Sequence, residues 1–467
     1  TPAATDATAN PAATVVPAAA PEPVPAEKIS FHKQVRPILL AHCQGCHQPA
    51  KPLGEYVLTN FTAMMKGGES GAPAIVPGKP DESPFVQQIT PPKPGDAAEM
   101  PKGKDPLHET QIATIRHWIS QGAIDDTPPD SGPKFDAEHP PVYRSAPTVS
   151  ALAYSPDGSL IAIGGLFEVV LHKADGTGVA ARLIGQSERI TSVAFSPDGK
   201  LLAATGGCPC RFGEVQIWDV ASKTLKTSVQ ITFDDLYGAS WSHDGTRVAF
   251  GCADKSVRAI EAETGKQVLF QGAHNDWVLG TVWSIDASHL VSVSRDMSMK
   301  LIEVGTQRFV DNITSITPGA LKGGLLSVDR HPTRDELLVG GSDGQPKIYK
   351  MYRTEARKIG DDFNKLKEFS TLPGRVFTVR YSKDGSKIVC GSSFEGRGSI
   401  RVYEADSTKP ICDAEGPIGG VFAAAFSPDA TRFAATGFDG MVRVYDAATG
   451  KKLVEFPAAP TAPVAPQ

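Results

Sequence analysis

Five consecutive residues, Cys43-Gln44-Gly45-Cys46-His47, carry the most explicit chemistry in the chain. Two thiols three positions apart, followed at once by an imidazole, form the attachment signature of c-type haem. Each thiol can add to a vinyl group on one porphyrin edge, and the imidazole is then presented to the iron. On this reading Cys43 and Cys46 hold one haem c through thioether bonds, and His47 is the proximal iron ligand. A redox dithiol or half of a zinc site would use the same residue types. A thioredoxin-like dithiol wants a βαβ context, which residues 29–60 do not show. A zinc site wants a second pair nearby, but the next cysteine is Cys208, and the candidate histidines, His108 and His117, are both on or near one helix.

A six-coordinate haem needs a distal ligand as well. Met64, Met65, Met100, His108 and His117 are the candidates. Met100 is preferred because it ends a Gly/Pro-rich stretch and precedes Pro101, which fixes an extended backbone. Met64 and Met65 fall in a short helical pattern and read as core fillers. Ligation by His47 and Met100 closes both iron positions and raises the reduction potential, so electron transfer is expected rather than catalysis. Thioether-bound haem is made outside the cytoplasm, which sets a periplasmic, cell-surface or secreted location as the expectation. The partner would be a redox protein docking through a small interface. Lys33, Arg36 and Lys51 flank the motif, but residues 29–126 hold 9 basic and 10 acidic side chains, so no net field steers that partner.

The elements that must position these residues read as a small helical domain over 29–126. Ser30 caps a segment in which Phe31, Val35, Ile38 and Leu39 recur at helical spacing, with Pro37 interrupting it. A second helix is predicted from about 109 to 121, with Ile112, Ile115 and Ile119 on one face and Gly122 ending it. Residues 66–105 are rich in Gly and Pro. A structureless loop of that length is unusual in a compact domain, and a wrapped macrocycle is the expected support. Residues 1–28 are nearly all Ala, Pro, Thr and Val and read as a disordered tether, with a similar tail over 459–467. The first residue, Thr1, suggests that a leader has been removed.

After a Pro-rich linker over 127–147 the texture changes to short β-rich runs separated by turns. Anchored on the residue that opens each turn, the runs repeat at Ser155, Ser196, Ser242, Ser284, His331, Ser382 and Ser427, with spacings of 41, 46, 42, 47, 51 and 45. A period of this size, with about four strands per unit, is that of a β-propeller. Seven blades are therefore expected over 148–458. Longer Gly-containing segments at 208–213 and 394–398 are expected to project as contact loops.

Two family resemblances follow. Residues 29–126 are similar to the planctomycete-type c-type cytochrome domain through VRPILLAHCQGCHQP, AIVPGKPDESPF and EMPKGKDPLHETQIATIRHWISQGA. The resemblance implies a small all-α, class I-like cytochrome c domain in which the methionine of the Met-Pro pair, here Met100, is an axial ligand. Lys102 stands where that family often has a second proline. The repeats resemble WD repeats through GEVQIWD, GAHNDWVLG and SVSRDMSMKLIEV, with Trp218-Asp219 and the degenerate Tyr445-Asp446 as terminal dipeptides. Asp254, Asp296, Asp343 and Asp439 occupy equivalent places. His274 with Asp296 matches the family's buried His–Asp pair, whose implied role is structural. The chain as a whole resembles a cytochrome fused to a seven-bladed propeller that serves as a docking platform.

Composition sets the outer limits. The 467 residues, 40% hydrophobic and 21% charged, suffice for two or three cored domains. A net charge of −5 and the lack of long basic runs argue against nucleic acid as a partner. No apolar stretch is long enough to span a bilayer, which leaves a membrane-associated partner as the only membrane link. Two alternatives have distinct requirements. A reductase-like enzyme needs a second cofactor in the propeller, where His172, His243, His274, His289 and His331 are scattered over several blades. A haem sensor or scaffold needs a weak or absent distal ligand. The remaining cysteines, Cys208, Cys210, Cys252, Cys390 and Cys412, do not define a disulfide pattern, and a metal site on the Cys208-Pro209-Cys210 loop is a further option.

Overall fold

The computed structural model describes residues 28–43, 47–48, 51–58, 61–93, 96–102, 106–127, 135–272, 274–317, 322–358, 360, 362–416 and 419–461. Cys46, residues 1–27 of the expected tether, 128–134 of the linker and 462–467 of the tail lie outside the described residues. The chain divides into two compact units: Thr1–Leu39 with Pro73–Pro128, and Leu40–Ala72 with Pro129–Gln467.

In the first unit Ser30 caps a wide helical turn, Phe31–Val35, by accepting the Lys33 N–H at 2.9 Å. The turn runs on as the helix Arg36–His42, and Pro37, which has no N–H to donate, stands where the wide turn gives way to the α-helix. The second predicted helix is Glu109–Ser120, and its buried face is Ile112, Ile115, Trp118 and Ile119. Phe31 packs on Trp118 with ring centroids 5.2 Å apart. Between these elements the stretch expected to be mostly loop contains the helix Pro84–Ile89. Ile75, Phe85, Val86 and Ile89 from this stretch are buried. Ser83 is fully buried: its hydroxyl accepts the Val76 N–H and donates to Lys79 O, both at 2.9 Å. The Gly78 N–H reaches Ile119 O at 2.8 Å. Buried side chains and backbone hydrogen bonds thus tie residues 75–89 to the protein within the stretch expected to be loop.

In the second unit the strands from Leu152–Tyr154 to Lys452–Pro457 build a seven-bladed β-propeller. Seven four-stranded antiparallel sheets follow one another in strict chain order. Their innermost strands are Leu152–Tyr154, Arg189–Phe195, Leu236–Trp241, Val278–Trp283, Leu325–Arg330, Arg375–Tyr381 and Val421–Phe426. A single blade has two apolar faces and cannot bury either alone. Accordingly, each apolar layer is shared by two neighbours. Ala162, Leu171 and Leu183 of blade 1 pack with Val193, Leu202 and Trp218 of blade 2. The seventh layer joins the ends of the ring, with Val149, Leu152, Ile161 and Ile163 against Val442, Val444 and Phe456. The Val149 N–H donates to Gly437 O at 2.9 Å across this closure. Blade 7 draws all four strands from residues 421–457, and Tyr143 pairs with Thr461 beyond them, so the segment before blade 1 adds no strand to blade 7. That segment is fastened to blade 1: Arg182 grips the buried Glu168 at 2.6 and 2.7 Å and also donates to Pro141 O, and the Tyr143 hydroxyl donates to Glu168 at 2.8 Å.

The repeating turn residue found in the sequence joins the first and second strands of each blade. In six blades a serine hydroxyl donates to an aspartate two residues on, at 2.5–2.7 Å. The same hydroxyl accepts the N–H five residues on, as Leu160 N–H does with Ser155 at 2.9 Å. The fifth blade, the least regular in sequence, substitutes the imidazole of His331, whose Nδ1 accepts the Thr333 and Arg334 N–H groups at 3.2 Å each. At the other end of the blades the equivalent aspartates pair with a basic residue four positions on, in Asp254–Arg258, Asp343–Lys347 and Asp439–Arg443. In blade 4 the partner is His274, whose Nδ1 lies 3.0 Å from Asp296 and whose Nε2 lies 2.8 Å from Ser292 Oγ. Burial alone would raise the Asp296 carboxyl, but hydrogen bonds from His274, Ser298 and the Asn275 N–H overcome it and hold it far below the usual range.

Two outcomes follow from this architecture. The turn aspartates are held low by their hydroxyl and amide donors, Asp198 and Asp286 down to about 2. A depressed folded-state pKa supplies stability that is present above the unfolded value and is lost as pH falls through the folded one. Thermal melts should therefore drop steeply between pH 4 and 2, and a flat profile there would contradict the assignment. At the ring closure Ile163 is 1% exposed, and Ile163→Ala should cost about 2–5 kcal/mol by urea unfolding. A loss below about 0.5 kcal/mol would mean that blades 1 and 7 do not share a packed layer.

Candidate functional site

Chain order fixes which residues can meet a partner. Successive strands of a blade are antiparallel, so the links between second and third strands and the links between blades all emerge at one end of the ring. The Ser-x-Asp turns and the third-to-fourth-strand turns emerge at the other. The exposed large apolar residues divide accordingly. Leu166, Met297, Phe394 and Phe438 lie at second-to-third-strand turns, and Trp277 and Ile316 lie in interblade links. They are 36–64% exposed, and all belong to the same end of the ring. The propeller's other exposed large apolar side chains among the described strands, Val179, Leu225, Phe309, Val310, Leu366 and Leu453, lie on the outermost strands, near their starts beside the opposite end. The segments at 208–213 and 394–398, expected to be loops, are instead the tips of long hairpins whose strands run eight residues each, Leu201–Cys208 with Phe212–Asp219 and Lys387–Phe394 with Arg397–Glu404.

Down the ring axis runs a cavity of about 340 Å³ lined by the innermost strands. Thr191, Ser192, Thr281, Ser327 and Thr378 give it hydroxyls, and Tyr237, Phe377 and Phe422 give it aromatic walls. Phe377 and Phe422 meet edge to face at 5.2 Å. At the mouth, beside blades 2 to 4, Tyr237 stacks on Trp277 with centroids 5.9 Å apart, and the Arg295 guanidinium lies 5.0 Å from the Trp277 ring and 3.6 Å from Asp276. Asp234 and Asp235 precede Tyr237 in the link into blade 3. Asp235 is 2% exposed, and no hydrogen-bond donor reaches its Oδ1 among the described residues. Burial, with Asp234 and Glu188 adding to it against Arg189, pushes its carboxyl up to about 6. The glycine at 207 makes room for it: a Cβ there would lie 3.0 Å from that oxygen and 2.2 Å from Phe212 O.

The residues singled out in the sequence are distributed as follows. Cys43 and His47 belong to the second unit and Met100 to the first, and Cys46 lies outside the described residues. Cys43 is half-buried. His47 begins a two-residue strand paired with Lys51–Pro52, and its ring meets Tyr56 edge-on at 5.7 Å. Met100 is half-buried and its N–H donates to Gln88 O at 2.9 Å. Met64 is buried, as a core filler should be. His108 is an exposed helix cap with its Nδ1 2.8 Å from the Thr110 hydroxyl, and His117 is exposed. Cys208, Cys210, Cys252, Cys390 and Cys412 are all free thiols. Cys208 donates to Glu188 at 3.3 Å, and burial with that carboxylate raises its pKa. Among the described residues no group of three or more His, Cys, Asp or Glu side chains gathers as a metal site. The sequence reading passed over the mouth of the channel. Its signal is an acidic residue followed closely by an aromatic one in two successive interblade links, Asp235 with Tyr237 and Asp276 with Trp277.

Comparison with known proteins bears on these placements. Residues 43–103 match the family described as planctomycete cytochrome C. Residues 179–219, 265–303 and 409–446 match the WD domain, G-beta repeat. Over 251 residues the chain is 25% identical to periodic tryptophan protein 2 of Saccharomyces cerevisiae, covering 48% of this chain and 26% of that protein. Over 141 residues it is 29% identical to the ribosome biogenesis protein WDR12 homolog of Chlamydomonas reinhardtii, covering 29% of this chain and 32% of that one. Over 219 residues it is 23% identical to eukaryotic translation initiation factor 3 subunit I of Candida glabrata, covering 46% and 50%. The chain thus spans half or less of the length of these curated relatives.

These findings correct the functional expectations drawn from the Cys-x-x-Cys-His motif. The relatives are matched as WD-repeat proteins, and their names carry ribosome biogenesis and translation initiation rather than a redox activity. The expected haem c, the electron transfer and the redox protein partner are withdrawn on that ground. The periplasmic, cell-surface or secreted location was drawn from the attachment chemistry and is withdrawn with it, against relatives named for ribosome biogenesis and translation initiation. Among the described residues no helix is long and apolar enough to cross a membrane.

Asp235 supplies a test of the mouth geometry. A carboxyl raised in the folded state favours folding below its unfolded pKa and loses that contribution as pH rises through about 6. Asp235→Asn should therefore melt higher than the parent chain at pH 8, with the difference closing by pH 4. A lower melting temperature for the variant at pH 8 would contradict the buried, donor-free setting.

Proposed function

We propose that this chain is a WD-repeat scaffold whose propeller holds protein partners against the apolar end of its ring. The observation that carries the reading is the placement of Leu166, Trp277, Met297, Ile316, Phe394 and Phe438 at the turns and interblade links of one end of the ring. Scattered exposed apolar side chains are ordinary on a protein surface, but six of them in the turns and links of one end form the pattern of a contact surface. The WD-repeat match supports this, as does likeness to a protein named as a subunit of a translation initiation factor.

The helical region, taken as 29–126 before a propeller of 148–458, is read as an accessory module with a cytochrome-like fold. The family match over 43–103 supports that reading and spans Cys43, Cys46, His47 and Met100, which stand as the module's candidate site residues.

The test compares two sets of aspartate substitutions in the full chain, each isolated from cells with its bound proteins. Ile316→Asp, Phe394→Asp and Phe438→Asp together should lower co-isolated protein at least about 10-fold, as loss of interface anchors does. Phe309→Asp with Leu366→Asp, on outermost strands, should leave it unchanged. Equal recovery from both sets, at unchanged melting temperature, would refute the scaffold reading.

A further inference from the structure

We infer that the axial cavity of the ring binds a small organic acid, its carboxylate against Arg380 and its apolar body beside Tyr237, Phe377 and Phe422. The inference goes beyond the scaffold reading and does not depend on it. Arg380 is the only charged residue lining the cavity among the described residues. Its Nη1 donates to Val379 O at 2.8 Å and to Ser327 Oγ at 3.4 Å, and no carboxylate pairs with it among the described residues. Asp329, the acid whose carboxyl feels Arg380, spends its oxygens on the Arg330 and Tyr381 N–H groups at 3.0 and 2.8 Å, and burial raises its pKa. A guanidinium that lines a cavity with N–H groups to spare calls for an oxyanion.

The hydroxyls of the same cavity have the matching polarity. Ser192, Ser327 and Thr378 each stand four residues before the turn residue of their blade, Ser196, His331 and Ser382. Each accepts an N–H from the next blade's innermost strand, from Ala239, Val379 and Ala424 at 3.0, 3.2 and 3.2 Å. An oxygen used as an acceptor leaves its O–H free to donate, and none of these three protons has an acceptor among the described residues. Ser327 and Thr378 are buried, so the cavity they line is where those protons can be spent. Thr281 differs, since its hydroxyl donates to Gly238 O at 2.7 Å. Tyr237, Phe377 and Phe422, each five residues before a turn serine, add the aromatic wall. Three spare donors and one cation beside aromatic rings, in a volume of about 340 Å³, suit an anion with an apolar body.

The experiment titrates the full chain with para-fluorobenzoate, followed by fluorine NMR of the ligand. Two controls separate the parts of the claim. Para-fluorobenzamide keeps the ring and loses the charge, and trifluoroacetate keeps the charge and loses the ring. The benzoate should bind at least about 10-fold more tightly than either, and Arg380→Gln should weaken it by at least about 10-fold. Phe422→Leu, which keeps an apolar wall without the ring, should weaken it several-fold at an unchanged melting temperature. No benzoate binding at millimolar concentration, equal binding of either control, or full binding by folded Arg380→Gln would each overturn the inference. Should Arg380→Gln fail to fold, the amide comparison on the parent chain still decides. None of these results bears on the Phe394 and Phe438 comparison, so failure of the acid site and failure of the scaffold reading are told apart.

Discussion

Everything in the propeller depends on apolar layers that no blade can complete alone. Each layer takes side chains from two neighbours, and the seventh, built on Ile161, Ile163, Val442 and Val444, turns a row of sheets into a closed ring. Closure removes the open ends of the row and gives the structure two distinct faces. The polar links, such as the Ser-x-Asp turns and the His274–Asp296 pair, fix turn geometry on top of that packing. Their hydrogen bonds satisfy backbone groups that the layers leave bare.

The two ends of the ring carry different chemistry for a simple reason. Turns between first and second strands at one end are built from a serine, an aspartate and backbone amides that satisfy one another. Links at the other end vary in length and residue type, and there the chain places Trp277, Ile316, Phe394 and Phe438 in solvent. Asp235, whose buried Oδ1 no donor reaches among the described residues, lies in an interblade link at that same end. A rigid ring with an adhesive face suits a protein that assembles others.

The propeller was legible in the sequence because its turns repeat a chemical device at a regular interval. Ser155, Ser196, Ser242, Ser284, Ser382 and Ser427 are all where their spacing put them, and His331 marks the one blade that solves the same turn with an imidazole. The helix Glu109–Ser120 was legible from its apolar face. The core of the first unit was not, because its buried Ile75, Phe85 and Ile89 come from a Gly/Pro-rich stretch without periodicity. The motif at 43–47 announced what its residues can do chemically, and a short motif says little about what a whole chain does. Asp235 was hidden for a different reason. Its importance lies in burial and a missing donor, which are properties of the folded neighbourhood and not of residue type.

Hydrogen exchange on the full chain, alone and with its co-isolated partner, tests the central claim most directly. New protection should appear in the links and turns that carry Leu166, Trp277, Met297, Ile316, Phe394 and Phe438, while the Ser-x-Asp turns exchange as before. Protection confined to the Ser-x-Asp end, or to residues 29–126, would contradict a scaffold that works through the apolar end of its ring.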